Sequence, residues 1–221
     1  MLTVHHLNNS RSQRVLWLLE ELGVSYEIVR YQRQPDMRAP AELRAIHPLG
    51  KSPVITDRGN TIAESGAIIE YILDSYGEGR LIPPPKTSER LRYTYWLHYA
   101  EGSAMPPLLL KLLFTVMPKR TPALLRPVVR KVSSQVLTAF VNPQLKEHMA
   151  FWESELGKSQ WFAGDEFSAA DIQMSFPLEA AAARASLEEA HPRAMAFLER
   201  IHARPAYQRA LEKGGRYTVG R

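Results

Sequence analysis

Among its 221 residues the chain has no cysteine, which removes disulfides, thiolate metal sites and any thiol nucleophile or redox centre of its own. Any sulfur chemistry has to come from a ligand. Long hydrophobic runs are missing too: the longest, Leu108 to Met117, is about half the ~20 residues that span a bilayer, and it contains Lys111. No transmembrane segment is expected. The first residues, MLTVHHLNNSRSQR, lack a basic region followed by an apolar core and a small-residue cleavage site, so no secretory leader is expected and a cytoplasmic address follows by default. Internal repeats and low-complexity tracts are absent.

What is present is ordinary for a globular protein: 45% apolar and 23% charged residues, enough for a sizeable core in one or two domains. The net charge of +5 raises nucleic acid, an anionic membrane or an acidic substrate as partners. Its densest group, Lys119, Arg120, Arg126, Arg130 and Lys131, is interleaved with prolines and aliphatics rather than stacking aromatics, and it reads as a solvated face. No nucleic-acid partner is expected.

Leu2 to His6 alternates as a first strand, and Val15, Leu16, Leu18, Leu19 and Leu22 then recur at helical spacing from Ser12 until Gly23 stops them. A second strand over 24–31 completes a parallel βαβ unit. A short helix over 38–46 should end at the turn His47-Pro48-Leu49-Gly50. Two β-branched runs, 53–56 and 61–63, flank a four-residue connection, Asp57 to Asn60, with hairpin chemistry. Ser65 sits where an N-cap belongs, ahead of Ile68, Ile69, Ile72, Leu73 and Tyr76, with Gly77 closing the helix. Gly77 to Ser88, with three consecutive prolines, reads as a linker. Beyond it almost no strand alternation remains: a long helix over 88–104, a middle cut at short intervals by prolines, a helix capped by Ser168 and Asp171 and loosened at Pro177, two closing helices, and a frayed tail GGRYTVGR. The division expected is 1–80, a linker over 81–87, and an all-helical 88–221.

A βαβ half followed by a ββα half brings the loop after the first strand, the turn before the third and the start of the last helix to one edge of the sheet. The free N–H groups at Gly66 and Ala67, with the Ser65 hydroxyl, suit a carboxylate, and Glu64 suits an ammonium group. Ser52-Pro53 opens a strand where an extended peptide can pair with the backbone, and Lys51 places a cation at its far end. A small peptide with an amino-acid head and a terminal carboxylate fits these corners.

Taken together, Asn9 to Arg14, Pro48 to Pro53, Glu64-Ser65 and Ser168 to Asp171 resemble the glutathione transferase superfamily over nearly the whole chain, in a cysteine-free form of bacterial or fungal type. The resemblance implies a thioredoxin-like N-terminal domain, an all-helical C-terminal domain, a homodimer, a detoxification role, no metal, and reduced glutathione as cosubstrate. It places Ser52 against the cysteinyl unit ahead of a cis Pro53, Glu64 and Ser65 at the γ-glutamyl end, and Lys51 at the glycyl carboxylate. Counting back from Arg14, the serine of theta-like members falls on Ser10, and the omega-like cysteine or first zeta-like serine on Asn9. Ser10 is the preferred catalytic position, as a donor to the glutathione thiolate. Tyr99, Ser103, Met105 and Leu109 are the expected walls of a pocket for a hydrophobic electrophile.

Each assignment has a plainer competitor. Ser10 caps the first helix, Ser65 caps the last helix of the sheet domain, and Glu64 is a surface carboxylate. His5 and His6 face opposite ways on a strand, so they do not share a metal. His47, His98 and His148 are structural or solvent-facing, the aromatics around Tyr93 to Tyr99 pack a core or dimer contact, and the 108–137 segment docks on a membrane surface. Rival functions are glutathione-dependent peroxide reduction, which uses the same thiolate, and a non-catalytic glutathione- or hydrophobe-binding or interaction protein.

Overall fold

The computed structural model describes residues 1–34, 36, 38–187, 190–215, 217 and 219. Its sheet is formed by β1 (Thr3–Leu7), β2 (Glu27–Tyr31), β3 (Val54–Asp57) and β4 (Asn60–Ala63) in the order β2-β1-β3-β4. β1 pairs parallel with β2, Thr3 opposite Glu27, and antiparallel with β3, His5 opposite Val54. The crossover between the parallel strands is α1 (Ser12–Leu22), ended by Gly23 in the left-handed region at φ 68°. α2 (Ala41–Ile46) precedes the turn to β3, and α3 (Ser65–Ile72) follows β4.

The hairpin is tighter than its sequence suggests. Asp57 pairs with Asn60, so the connection is two residues, Arg58 and Gly59, both at positive φ as the twist of a two-residue hairpin requires. The Tyr71 hydroxyl donates to Asp57 at 2.9 Å and Tyr76 donates to the same carboxylate, which ties the hairpin to α3 and to the π-helical turn Leu73–Gly77 that extends it. α1 is buried well beyond the apolar stripe that its spacing predicts. It is buried on every face but Glu21, because α8 (Ala169–Arg184) and α10 (Pro205–Gly214) cover the side turned away from the sheet.

Prolines divide the middle of the chain less than expected. α4 (Ser88–Tyr99) runs through the π-helical segment Ala100–Ala104 into α5 (Met105–Arg120), and α6 (Arg126–Val136) runs through Leu137–Val141 into α7 (Asn142–Glu155). Pro127 stands in the first turn of α6, where no N–H is needed, whereas Pro106 and Pro143 lie inside the continuous helices. The π-helical turns lie just ahead of Pro106 and Pro143, where the ladder must lose a donor. Pro177 lies inside α8, which continues as one helix. After α9 (Pro192–His202) and α10 the tail is anchored at its described positions: Tyr217 and Val219 are buried, and the Tyr217 hydroxyl donates to Glu179 at 2.7 Å. The rest of that tail, 216, 218 and 220–221, lies outside the described residues.

The Ser168–Asp171 signal marks the start of α8, as read from sequence. The fully buried Asp171 carboxylate accepts the Ser168 N–H at 2.9 Å and, from across a loop, the Phe162 N–H at 2.9 Å. Burial outweighs these donors and pushes the Asp171 pKa up to about 6. Because the folded state then binds this proton more tightly than the unfolded chain, the stabilisation linked to it is present near pH 4 and lost as pH rises through about 6. Asp171→Ala strands two buried N–H groups and is expected to cost about 2–4 kcal/mol. Urea unfolding of parent and Asp171→Asn between pH 4 and pH 7 checks the linkage: the variant's stability changes less over that window.

Candidate functional site

At the edge where β1 ends, the chain turns through Asn9, at φ 48°, and enters α1 by way of Ser10 and Arg11. Ser10 is 4% exposed. Its hydroxyl lies 3.0 Å from the Ser52 hydroxyl and 2.7 Å from that of Ser12, and it accepts the Ser12 N–H at 3.2 Å. The first contact joins two of the corners picked out in sequence, 42 residues apart, across β1 and β3. Ser52-Pro53 is a cis peptide; Ser52 is half-buried, and Lys51 beside it is exposed.

The third corner differs from expectation at Ser65. The residue capping α3 is Glu64, held at φ 71° and exposed, and Ser65 is the first helical residue. Its buried hydroxyl accepts from Arg14 at 3.1 Å instead of folding back on its own helix. The first turn closes with Ile68 N–H on the Glu64 carbonyl at 2.9 Å, so the N–H groups of Ser65, Gly66 and Ala67 precede the helical ladder.

Arg14 was not singled out from sequence as a site residue, although it shares the apolar stripe of Leu18 and Leu22 and a cation there is a readable signal. It is 2% exposed. Besides Ser65 it donates to the Gln173 carbonyl on α8 at 2.6 Å and to Glu101 at 2.5 Å. Arg11 approaches the same Glu101 oxygen at 3.0 Å, and both guanidinium groups lie over the Phe176 ring, at 5.0 and 5.3 Å. Burial raises the Glu101 pKa and the two arginines lower it by more, so the carboxyl is held below its usual range. Nothing local in the sequence marks Glu101 or Gln173, which lie 87 and 159 residues from Arg14.

Behind Ser10, the Ser12 hydroxyl lies 2.9 Å from His6 Nδ1. Burial, together with Arg30, drives the His6 pKa down to about 4, so its ring is neutral at pH 7. His5 faces the other way, to the Tyr31 hydroxyl at 2.9 Å and Thr56 at 3.2 Å. Among the described residues no cluster of three or more His, Asp or Glu side chains is placed to hold a metal.

The four expected pocket residues scatter. The Tyr99 side chain is buried with its hydroxyl taken up by Trp152 Nε1 at 3.0 Å and by His148, so it belongs to the aromatic core of the helical part. Met105 is buried, Ser103 is exposed and Leu109 is 51% exposed. Ser103 follows Glu101 in the same π-helical turn, which the arginine contacts bring to the Ser10 loop.

Family models agree with this architecture. The glutathione S-transferase N-terminal domain matches residues 1–74, and the C-terminal domain of the same family matches 116–205. The chain belongs to the glutathione S-transferase family. Glutathione S-transferase 3 of Schizosaccharomyces pombe is 34% identical over 96% of this chain and 88% of its own length. Glutathione S-transferase 1 of Saccharomyces cerevisiae is also 34% identical, over 96% and 95%. A crystal structure of a glutathione S-transferase from Actinobacillus pleuropneumoniae superposes with a TM-score of 0.79 at 33% identity, covering 100% of this chain and 96% of the other. The protein is thus a transferase of this family, with a thioredoxin-like N-terminal domain and a helical C-terminal domain.

In this glutathione S-transferase the buried arginine ties α1, α3, α8 and the 100–104 turn together. Arg14→Met removes the donor to three acceptors and leaves Glu101 to Arg11 alone; a loss of roughly 2–4 kcal/mol is expected from a broken, partly buried pair. Arg14→Lys keeps the charge but not the fork, and should recover only part of it. Urea unfolding midpoints of the two variants check this; equal stability in parent and Arg14→Met contradicts it.

Proposed function

We propose that the protein conjugates the thiolate of reduced glutathione to a hydrophobic electrophile, with Ser10 as the donor that stabilises the sulfur. The observation carrying this reading is the 3.0 Å approach of the Ser10 and Ser52 hydroxyls. It sets a hydroxyl donor beside the residue whose backbone is suited to pair with the cysteinyl unit, on the buried floor formed by Pro53.

The γ-glutamyl end fits the start of α3. Arg14 occupies a lone pair of Ser65 Oγ, which leaves the Ser65 hydrogen to donate to a carboxylate, and the N–H groups of Gly66 and Ala67 add to that donor and to the helix potential. The exposed Glu64 carboxylate matches the ammonium group, and the exposed Lys51 the glycyl carboxylate. Asn9, at φ 48° beside Ser10, is the alternative contact to sulfur. A free thiol of pKa about 8.5 is mostly protonated at neutral pH. A charge-assisted hydrogen bond from Ser10 favours the thiolate, which then attacks the electrophilic carbon with departure of its leaving group or addition across an activated double bond.

Ser103, in the π-helical turn that carries Glu101, and Met105 and Leu109 on α5 remain the proposed wall for the acceptor; the buried Tyr99 hydroxyl supports a packing role instead. A homodimer, a cytoplasmic address and a detoxifying role belong to the same proposal. So does a division into 1–80, 81–87 and 88–221, which the lack of helix or strand between Gly77 and Ser88 supports. Among the described residues no helix is long and apolar enough to cross a membrane.

Retention on immobilised glutathione, and a rise in melting temperature with millimolar glutathione, test the binding floor. Loss of one charge-assisted donor predicts that Ser10→Ala conjugates a chloro-nitroaromatic roughly ten- to a hundredfold more slowly with little change in glutathione affinity. Hydroperoxide reduction measured alongside ranks the peroxidase reading, and binding without either turnover favours a carrier. If Asn9→Ala alone shows that loss, the sulfur contact moves to Asn9.

A further inference from the structure

The contacts behind Ser10 carry a consequence for how it works. Four groups stand in a line, Ser52 Oγ, Ser10 Oγ, Ser12 Oγ and His6 Nδ1, separated by 3.0, 2.7 and 2.9 Å. Ser10, Ser12 and His6 are each 5% exposed or less, so water does not substitute for a missing partner. Each hydroxyl has one hydrogen to give.

The directions follow from the groups that can only accept or only donate. The His6 ring lies against Gly214 at the end of α10, whose backbone favours a hydrogen on the ring; with the single hydrogen of the neutral imidazole turned to that side, Nδ1 presents its lone pair to Ser12. The Leu7 carbonyl, 3.4 Å from Ser12 Oγ, also only accepts. The Ser12 hydrogen is therefore spent on His6 Nδ1, with Leu7 as the weaker choice. Ser12 Oγ then has only lone pairs for Ser10. The Ser10 hydrogen turns inward to Ser12, while Ser10 itself accepts from the Ser12 N–H and from Ser52.

We propose that His6 and Ser12 are positioning residues that hold the Ser10 hydroxyl hydrogen away from the ligand, so that a bound glutathione thiolate must draw it off Ser12. This rests on the reading of Ser10 as the sulfur donor. The thiolate wins the competition because a hydrogen bond to an anion is stronger than one between neutral hydroxyls. What it gains is reduced by the Ser10–Ser12 bond it displaces. The pair therefore sets how far the thiol pKa falls, with His6 acting through Ser12 and neither touching sulfur. The charged group facing His6 from β2 is Arg30, which opposes protonation of the ring and keeps the acceptor in place.

The sign of the effect is unusual and makes the test sharp. The pKa of bound glutathione is read from thiolate absorbance near the ultraviolet edge as pH is raised, in the parent, Ser10→Ala, Ser12→Ala and the double variant. Ser12→Ala frees the Ser10 hydrogen and is expected to lower the thiol pKa by roughly half a unit to one unit, the equivalent of one neutral hydrogen bond. Ser10→Ala raises it, and in the double variant the Ser12 change has no further effect. His6→Gln, which keeps a side-chain acceptor, stays near the parent, whereas His6→Leu shifts toward Ser12→Ala. Should Ser12→Ala leave the thiol pKa unchanged or raise it while Ser10→Ala raises it, the inward lock is wrong and the chain donates toward sulfur instead. Should Ser10→Ala itself change nothing, the assignment of Ser10 fails first. Far-ultraviolet dichroism and glutathione affinity of each variant separate these outcomes from misfolding.

Discussion

A guanidinium that cannot lose its proton, buried to 2% exposure, is the constraint on which the rest of this structure depends. Arg14 has to be matched by acceptors, and the chain supplies them from three distant places: the Ser65 hydroxyl at the start of α3, the Gln173 carbonyl inside α8, and the Glu101 carboxylate in the widened turn between α4 and α5. Of these only Glu101 carries charge, and it is shared with Arg11, so the cluster keeps one net positive charge beside the ligand edge. Such a pairing adds little stability compared with an apolar core of the same shape, but removing one partner is costly. It acts as a specification: the sheet domain and the helical domain have one relative placement in which all three acceptors reach the same side chain.

That placement has a chemical reading. By donating to Ser65, Arg14 fills one lone pair of that hydroxyl and leaves its hydrogen free for another acceptor. Glu64, at φ 71°, is exposed beside it, and in the proposed function it receives the ammonium. Adjacent residues thus present opposite preferences toward the two ends of an amino-acid head group, and the division comes from the backbone at Glu64 and from a cation on another helix. Helix-start chemistry and the family resemblance both point to these two residues, but from sequence Ser65 reads as the cap, a place the structure gives to Glu64.

Local devices were legible in the sequence because each is completed within a few residues. The Gly23 stop, the Ser168–Asp171 start of α8 and the presence of a hairpin near Gly59 all belong to this class. Their finer form depended on pairing: the register of β3 with β4 made Asp57 and Asn60 part of the ladder and reduced the turn to two residues. The prolines misled for a physical reason. Each was read as a break, yet a first helical turn needs no donor and a π-helical turn ahead of Pro106 or Pro143 carries the chain over the gap. The Ser10–Ser52 and Arg14–Glu101 contacts, 42 and 87 residues apart, leave no local pattern. The catalytic reading of Ser10 comes from the family resemblance, Ser52 stands out already as the residue ahead of a strand-opening proline, and nothing marks Arg14 as a site residue.

Grip and chemistry are separable in this site, and the separation follows from which groups are rigid. The floor of Pro53, the first N–H groups of α3 and the Glu64 backbone are fixed by the sheet and by helix geometry, so they stay in place when a side-chain hydroxyl is altered. The proposed sulfur donor is different. Ser10 is one hydroxyl whose hydrogen has competing acceptors at 2.7 and 3.0 Å, and its direction is decided by where Ser12 and the His6 ring spend their own hydrogens. The His6 ring in turn lies against Gly214 at the end of α10, a helix that also packs along α1. A closing helix far from the ligand edge in sequence therefore reaches the Ser10 hydroxyl through two side chains, His6 and Ser12. With Ser10 in its proposed role, changes at the end of α10 have a route to turnover that bypasses glutathione affinity.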